Sequence, residues 1–161
     1  MGDPRETAVL TLAACERQGA WSDGHLKRAI REHGLDRRDA ALASRLCYGV
    51  LQNRLLLDWR LSRVCSMKLD KLDVKVLCDL RVAAYQLLFL DKIPASAAVN
   101  EAVELAKKHS RNPRTAGLVN GVLRALLREE APEVKGRDGI EALSIRYSHP
   151  RWLVEEFADR L

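Results

Sequence analysis

The sequence predicts an all-α protein, and three observations carry that reading. Ala, Leu, Arg and Glu abound, while aromatic residues make up only 5% of the 161 residues, a composition of good helix formers. Apolar residues recur at helical spacing. In AGLVNGVLRALL (116–127), Leu118, Val122 and Leu126 form one row and Val119, Leu123 and Leu127 the next, which makes one broad apolar face. Helix starts and stops punctuate the chain, whereas no segment alternates apolar and polar residues as a half-buried strand does. Asn120-Gly121 is also a strong hairpin signal, but the adjacent apolar pairs on either side decide for helix. Gly121 is then expected to mark a close approach of another helix, and a buried Asn120 needs a hydrogen-bond partner.

The elements follow in order. Asp3-Pro4 supplies an N-cap and a first-turn proline for a helix with Val9, Leu12 and Ala13 inside, closed at Gly19. Ser22 caps a second helix (Leu26, Ala29, Ile30) that stops at Gly34. Asp36 caps a long third helix striped by Leu42, Leu46, Val50 and Leu57; it is expected to break near Asp58, with a shorter helix reaching Met67. Asp70 is expected to start the next, with Leu77, Leu80, Ala84, Leu87 and Leu88 in period, ended by DKIP because the residue before a proline avoids the helical region. Two more are expected over about 95–109 and 113–130. APEVKGRDG then reads as a linker, followed by a short helix over 140–147 and SHPRWLVEEFADRL as the start of something new. The expected organisation is a domain over 1–130, then a linker and the beginning of a further unit over 131–161.

Charge is unevenly spread. The net charge is +5. Residues 1–40 balance, 41–69 carry +4, 70–104 carry −2, 105–128 carry +6 with no acid, and 129–161 carry −3. Concentrated positive charge suits an anionic partner such as nucleic acid. The candidate contacts are Lys107, Lys108, Arg111, Arg114, Arg124 and Arg128. Arg124 and Arg128 are neighbours on one helix face, and guanidinium groups offer bidentate geometry to phosphate. The plainer reading is a solvated face, with Lys107 and Lys108 complementing a helix C-terminus. Trp21, Tyr48 and Tyr85 could stack on bases, but Tyr48 and Tyr85 stand among Leu and Val at core spacing.

Other chemistry finds little support. Cys15, Cys47, Cys65 and Cys78 have no Cys-x-x-Cys spacing and are expected to be small core hydrophobes. The four histidines show no HExxH spacing, and His33 and His109 suit helix C-termini. The glycines are scattered rather than gathered into a phosphate-cradling loop, so neither metal nor cofactor is expected in this chain. MGDPRETAVL has acids where a secretory leader has basic residues and an apolar core, and VAAYQLLFL is too short to span a bilayer, so a cytoplasmic protein without membrane contact is expected.

Four segments together resemble the NusB-like RNA-binding fold: LCYGVLQNRLLLDW (46–59), LRVAAYQLLFLDKIP (80–94), AAVNEAVELAKK (97–108) and GLVNGVLR (117–124). The resemblance runs to about Arg128 and implies two packed helical subdomains. It sets Asn100 and Asn120 in equivalent Val-Asn contexts, which implies that they help join consecutive helices where Gly121 lets them approach. The family has two branches. One is the stand-alone antitermination factor, which binds a leader RNA together with a ribosomal protein and carries an Arg-rich amino-terminal arm implicated in RNA contact. The other is the amino-terminal domain of the Sun or RsmB rRNA cytosine-C5 methyltransferases. LCYGVL with LDW, AAYQLLFLDKIP and IRYSHPRWLVEEF (145–157) look more like the methyltransferase branch, and MGDPRETAVL offers only Arg5. That branch implies ribosomal RNA and a C-terminal catalytic domain as partners, with S-adenosylmethionine bound in that domain. The branch's catalytic cysteines follow Pro or Thr; here the preceding residues are Ala14, Leu46, Val64 and Leu77, so no catalytic residue carries over. A protein-docking module without RNA contact is the third reading.

Overall fold

A computed structural model describes residues 2–129, and its first helix begins where the sequence places a cap and a proline. Asp3 accepts a hydrogen bond from the Arg5 amide at the start of α1 (Pro4–Gln18), and Gly19, in the left-handed region at φ 81°, ends it. Ser22 caps α2 (Asp23–Glu32), and Gly34 turns the chain at φ 64°. Asp36 caps α3 (Arg37–Gln52). The expected break near Asp58 lies instead at Asn53, where α4 (Arg54–Val64) begins. The Asn53 side-chain amide donates to the Gly49 carbonyl at 2.9 Å, the local competition with the helical ladder that makes Asn a terminator. Asp70 falls in a single 3-10 turn, Leu69–Lys71, and the next helix, α5 (Val74–Phe89), starts at Asp73, whose carboxylate accepts from the Lys75 amide. Helices α6 (Ala95–His109) and α7 (Arg114–Arg128) follow. The expected linker, the 140–147 helix and the unit beyond it lie outside the described residues.

The architecture is all-α among the described residues. Every residue of α5 from Val76 to Gln86 is buried, so this helix has no solvent face over three turns. Helices α1 and α3, with α2 against them, cover one side; α4, α6 and α7 cover the other. Leu46, Leu57, Leu61, Leu80 and Leu123 are fully buried, each contributing about 1.5–3 kcal/mol by leaving water. Val119, Val122, Leu123 and Leu126 of α7 face inward as the periodicity predicted, while Leu127 stays exposed. Cys15, Cys47 and Cys78 fill the core; Cys65 is half-buried beyond the end of α4. None of the described helices is long and apolar enough to cross a membrane.

Polar groups tie the two halves across α5. Arg81, 4% exposed, donates from Nε and Nη2 to both oxygens of Asp58 at 2.8 and 2.9 Å and lies 3.6 Å from Glu16. Glu16 in turn accepts from Arg54 at 2.9 Å. Helices α1, α4 and α5 are thereby joined by one network. Although burial disfavours the Arg81 charge, Asp58 more than offsets it and holds the guanidinium above its usual range.

The glycine that marks a close helix approach is Gly49, not Gly121. A Cβ at Gly49 would run into the Tyr85 ring, whereas at Gly121 it would meet open space. Gly121 is exposed, Asn100 is exposed, and the Asn120 carbonyl oxygen accepts from Arg124 on its own helix. The expected Asn–Gly junction is therefore not how α6 and α7 join. The two helices are in contact, and their buried residues Val99, Ala102, Leu105, Val119, Val122 and Leu126 all belong to one apolar core, so apolar burial rather than amide pairing holds them. Tyr85 is buried as expected, but Tyr48 is 40% exposed, its hydroxyl donating to Asp23 and its ring edge-on to Trp21.

Two outcomes follow for stability. Gly49→Ala should cost about 1–3 kcal/mol, as overpacking does, while Gly121→Ala should stabilise by about 1 kcal/mol, since Ala replaces Gly on an exposed helix face; urea unfolding of both variants checks the pair. Asp79 is 3% exposed with an unpartnered carboxylate oxygen, and burial raises its pKa to about 8. The native state thus retains a proton that an unfolded aspartate releases near pH 4, and stability should fall as pH rises from about 4 to 8. Asp79→Asn should remove that part of the fall, so wild type and variant should diverge with pH in thermal melts; parallel curves would contradict the assignment.

Candidate nucleic-acid interface

Helices α6 and α7 form an antiparallel pair joined by Ser110–Pro113. Side chains close the turn between them. The Ser110 hydroxyl donates to Thr115 Oγ1 at 2.8 Å and accepts from the Asn112 amide at 3.2 Å. Asn112 Oδ1 accepts from the Arg114 amide at 2.9 Å. Arg111 therefore projects from a pinned connection, which lowers the entropy lost when its side chain engages a ligand.

The structure divides the six sequence-predicted cations. Lys107, Lys108, Arg111 and Arg114 surround the turn, and all are exposed. Lys107 lies 3.3 Å from Glu104, and Lys108 lies 2.8 Å from Glu6 of α1. Glu6 also meets His109 Nε2 at 2.9 Å. Against the upward push of burial, the bonds and charges of Lys108 and His109 hold the Glu6 carboxyl below its usual range. The charge of Lys108 is thus partly spoken for by a residue 102 positions away, a pairing that no local sequence pattern announces.

The arginines are less encumbered. Among the described residues, Arg111, Arg114, Arg124 and Arg128 take part in no ion pair. Arg124 donates only to Asn120 Oδ1, at 2.9 Å, which steadies the guanidinium without neutralising it. At about 100° per residue, Arg114, Arg124 and Arg128 fall within about 80° of arc on α7 and span roughly 21 Å. Gly117 and Gly121 fall in the same arc, and both are exposed with open space where a Cβ would stand. The face is therefore bare backbone edged by cations, which gives a polyanion room to come close.

Cys47 of α3 and Cys78 of α5 offer no nucleophile. Burial pushes the Cys47 thiol up to about 12 and the Cys78 thiol up to about 11, far from the thiolate form that attacks. No cluster of His, Cys, Asp and Glu suited to a metal ion occurs among the described residues.

Comparison with known proteins agrees with this architecture. The model of the NusB family matches residues 3–128. A probable ribosomal RNA small subunit methyltransferase B of Bacillus subtilis is 38% identical over 96% of this chain and 34% of its own length. The transcription antitermination protein NusB of Ruminiclostridium cellulolyticum is 31% identical over 86% of this chain and 95% of its own length. The chain thus spans about a third of the methyltransferase relative and nearly all of the antitermination protein. Among solved structures, T. maritima NusB superposes with a TM-score of 0.68 at 28% identity, covering 82% of this chain and 96% of that one. The fold of PH0851 covers the whole chain and 36% of its own, with a TM-score of 0.76 at 16% identity. With its helices, its core and its α6–α7 pair all inside the matched span, the chain belongs to the NusB family.

Proposed function

We propose that this chain is the RNA-binding domain of an rRNA cytosine-C5 methyltransferase, where it helps to hold or orient small-subunit rRNA. The observation that carries the reading is the face of α7, where Arg114, Arg124 and Arg128 align without an ion pair among the described residues, next to Arg111 on the pinned turn. Phosphates are bound by such charged, partly preorganised donors. The methyltransferase branch is favoured by relatives in that class matched along 95–96% of this chain.

The domain's own part is binding and positioning. The described residues do not fit S-adenosylmethionine, because they contain neither a strand nor a glycine-rich loop at a helix start, and Gly19 and Gly34 serve as left-handed helix ends. Cofactor and nucleophile belong to other residues of the parent protein under this reading, and the α7 face would present RNA to them. A second reading, an antitermination role, is supported by the similarity to antitermination proteins, one of them 31% identical over 86% of this chain. Both readings require RNA on the basic face, and a protein-docking module does not.

Salt dependence separates them from docking alone. Single-strand contacts contribute a slope of about −0.7 each to the dependence of log affinity on log salt. Replacing Arg111, Arg114 and Arg124 with Gln should therefore flatten the slope for small-subunit rRNA fragments by about 2. An unchanged slope would remove these residues from the RNA site.

A further inference from the structure

A second basic cleft lies away from α7, between the start of α1, the outer side of α3 and the α5–α6 connection. It has a volume of about 580 Å³ and is lined by Arg5, Arg38, Arg45, Lys92 and Phe89. Asp39 and Asp91 line it as well, so the cleft keeps an excess of positive charge. Among the described residues, none of its four cations is in an ion pair. Lys107 and Lys108, by contrast, each face a carboxylate.

Two features are built rather than incidental. Phe89 is 40% exposed, yet its ring is stacked on Tyr85 at 5.4 Å and 24°, and Tyr85 is seated where Gly49 has no side chain. An aromatic ring is therefore held rigidly at the surface from below. Arg5 donates from Nε to Gln86 Oε1 at 2.8 Å, and the buried Gln86 is itself fixed by donating to the Val82 carbonyl at 3.1 Å. That bond leaves the Nη hydrogens of Arg5 available to an anion. Arg38 and Arg45 stand two turns apart on one face of α3, about 10 Å along the axis.

A fixed ring beside unpaired cations is the combination that binds single-stranded nucleic acid, because an unpaired base has a π-face to stack and its flanking phosphates need positive partners. A duplex hides that face. We propose that this cleft takes an unpaired nucleotide of the RNA, its base stacked on Phe89 and its flanking phosphates on Arg38 and Arg45. The inference rests on the RNA-binding reading and makes it specific for single-stranded segments.

The test uses the full chain, two fluorescently labelled probes (an unstructured 12-nucleotide RNA and the same RNA in a duplex) and unlabelled inorganic pyrophosphate as competitor. Phe89→Leu should weaken single-strand binding about tenfold, as loss of one stacked base does, and leave duplex binding unchanged. Arg38→Gln with Arg45→Gln should flatten the single-strand salt slope by about 1.4. Thermal melts of the Arg38 and Arg45 variants should match wild type, since both side chains are exposed. Phe89→Leu should lower the midpoint slightly through loss of the stacked pair, and its unchanged duplex binding then shows that the fold is intact. If these variants bind the single strand as wild type does while Arg114→Gln with Arg124→Gln loses it, the cleft proposal fails and the RNA reading stands. If wild type binds neither RNA, both fail. If pyrophosphate competes fully and Phe89→Leu is silent, the cleft is a general anion site and the stacking proposal is overturned.

Discussion

Between Val76 and Gln86, α5 is buried on every side, and that constraint organises the rest of the molecule. A helix without a solvent face must find a partner for each polar group and room for each large side chain. Arg81 meets the first demand through Asp58 and Glu16, joining helices on both sides. Tyr85 meets the second only because Gly49 offers no side chain to oppose it. Asp79 is the exception, a carboxyl with one oxygen unsatisfied, which burial keeps protonated to higher pH than its type.

The same helix carries the core's order outward. Tyr85 supports Phe89 at the surface, and Gln86, its neighbour in sequence, fixes Arg5. Side chains wholly or nearly buried thus position groups that meet solvent, and rigid support of this kind reduces the entropy lost on binding. On α7 the support is of another sort. Four inward apolar residues anchor the helix, and its outer arc is left with arginines and two bare glycines. Exposed glycine lowers helix stability by about 1 kcal/mol relative to Ala, so its recurrence on the cationic arc is consistent with a surface shaped for close approach rather than for stability.

Much of this was legible in the sequence. Caps at Asp3, Ser22 and Asp36 and the four-residue apolar rows placed the helices, since those signals are local. The break at Asn53 and the start at Asp73 were displaced because several Asx residues competed for each boundary, and only tertiary contact chose among them: Asp58 was taken by Arg81. On local grounds Gly121 looks like a close-approach site, yet helix interior glycines at Gly49 and Gly121 look alike until the opposing residue, Tyr85 or solvent, is known. The basic run on α6 and α7 was visible as charge, but Glu6 neutralises part of it from the first helix. The cleft around Phe89 was invisible because Arg5 and Arg38 lie where charges along the chain balance, Lys92 lies where acids outnumber bases, and Arg45 lies in a third segment, so no single run brings the four together.

The central claim is that RNA meets this domain through cations the fold leaves unpaired. Amide chemical shifts of the isotopically labelled chain, followed while a small-subunit rRNA fragment is added, test it most directly. The account predicts perturbations confined to Arg111, the outer arc of α7, and the α3 and α5–α6 residues around Phe89. Perturbations centred on the exposed apolar residues Leu55 and Met67, or none at saturating RNA, would contradict it.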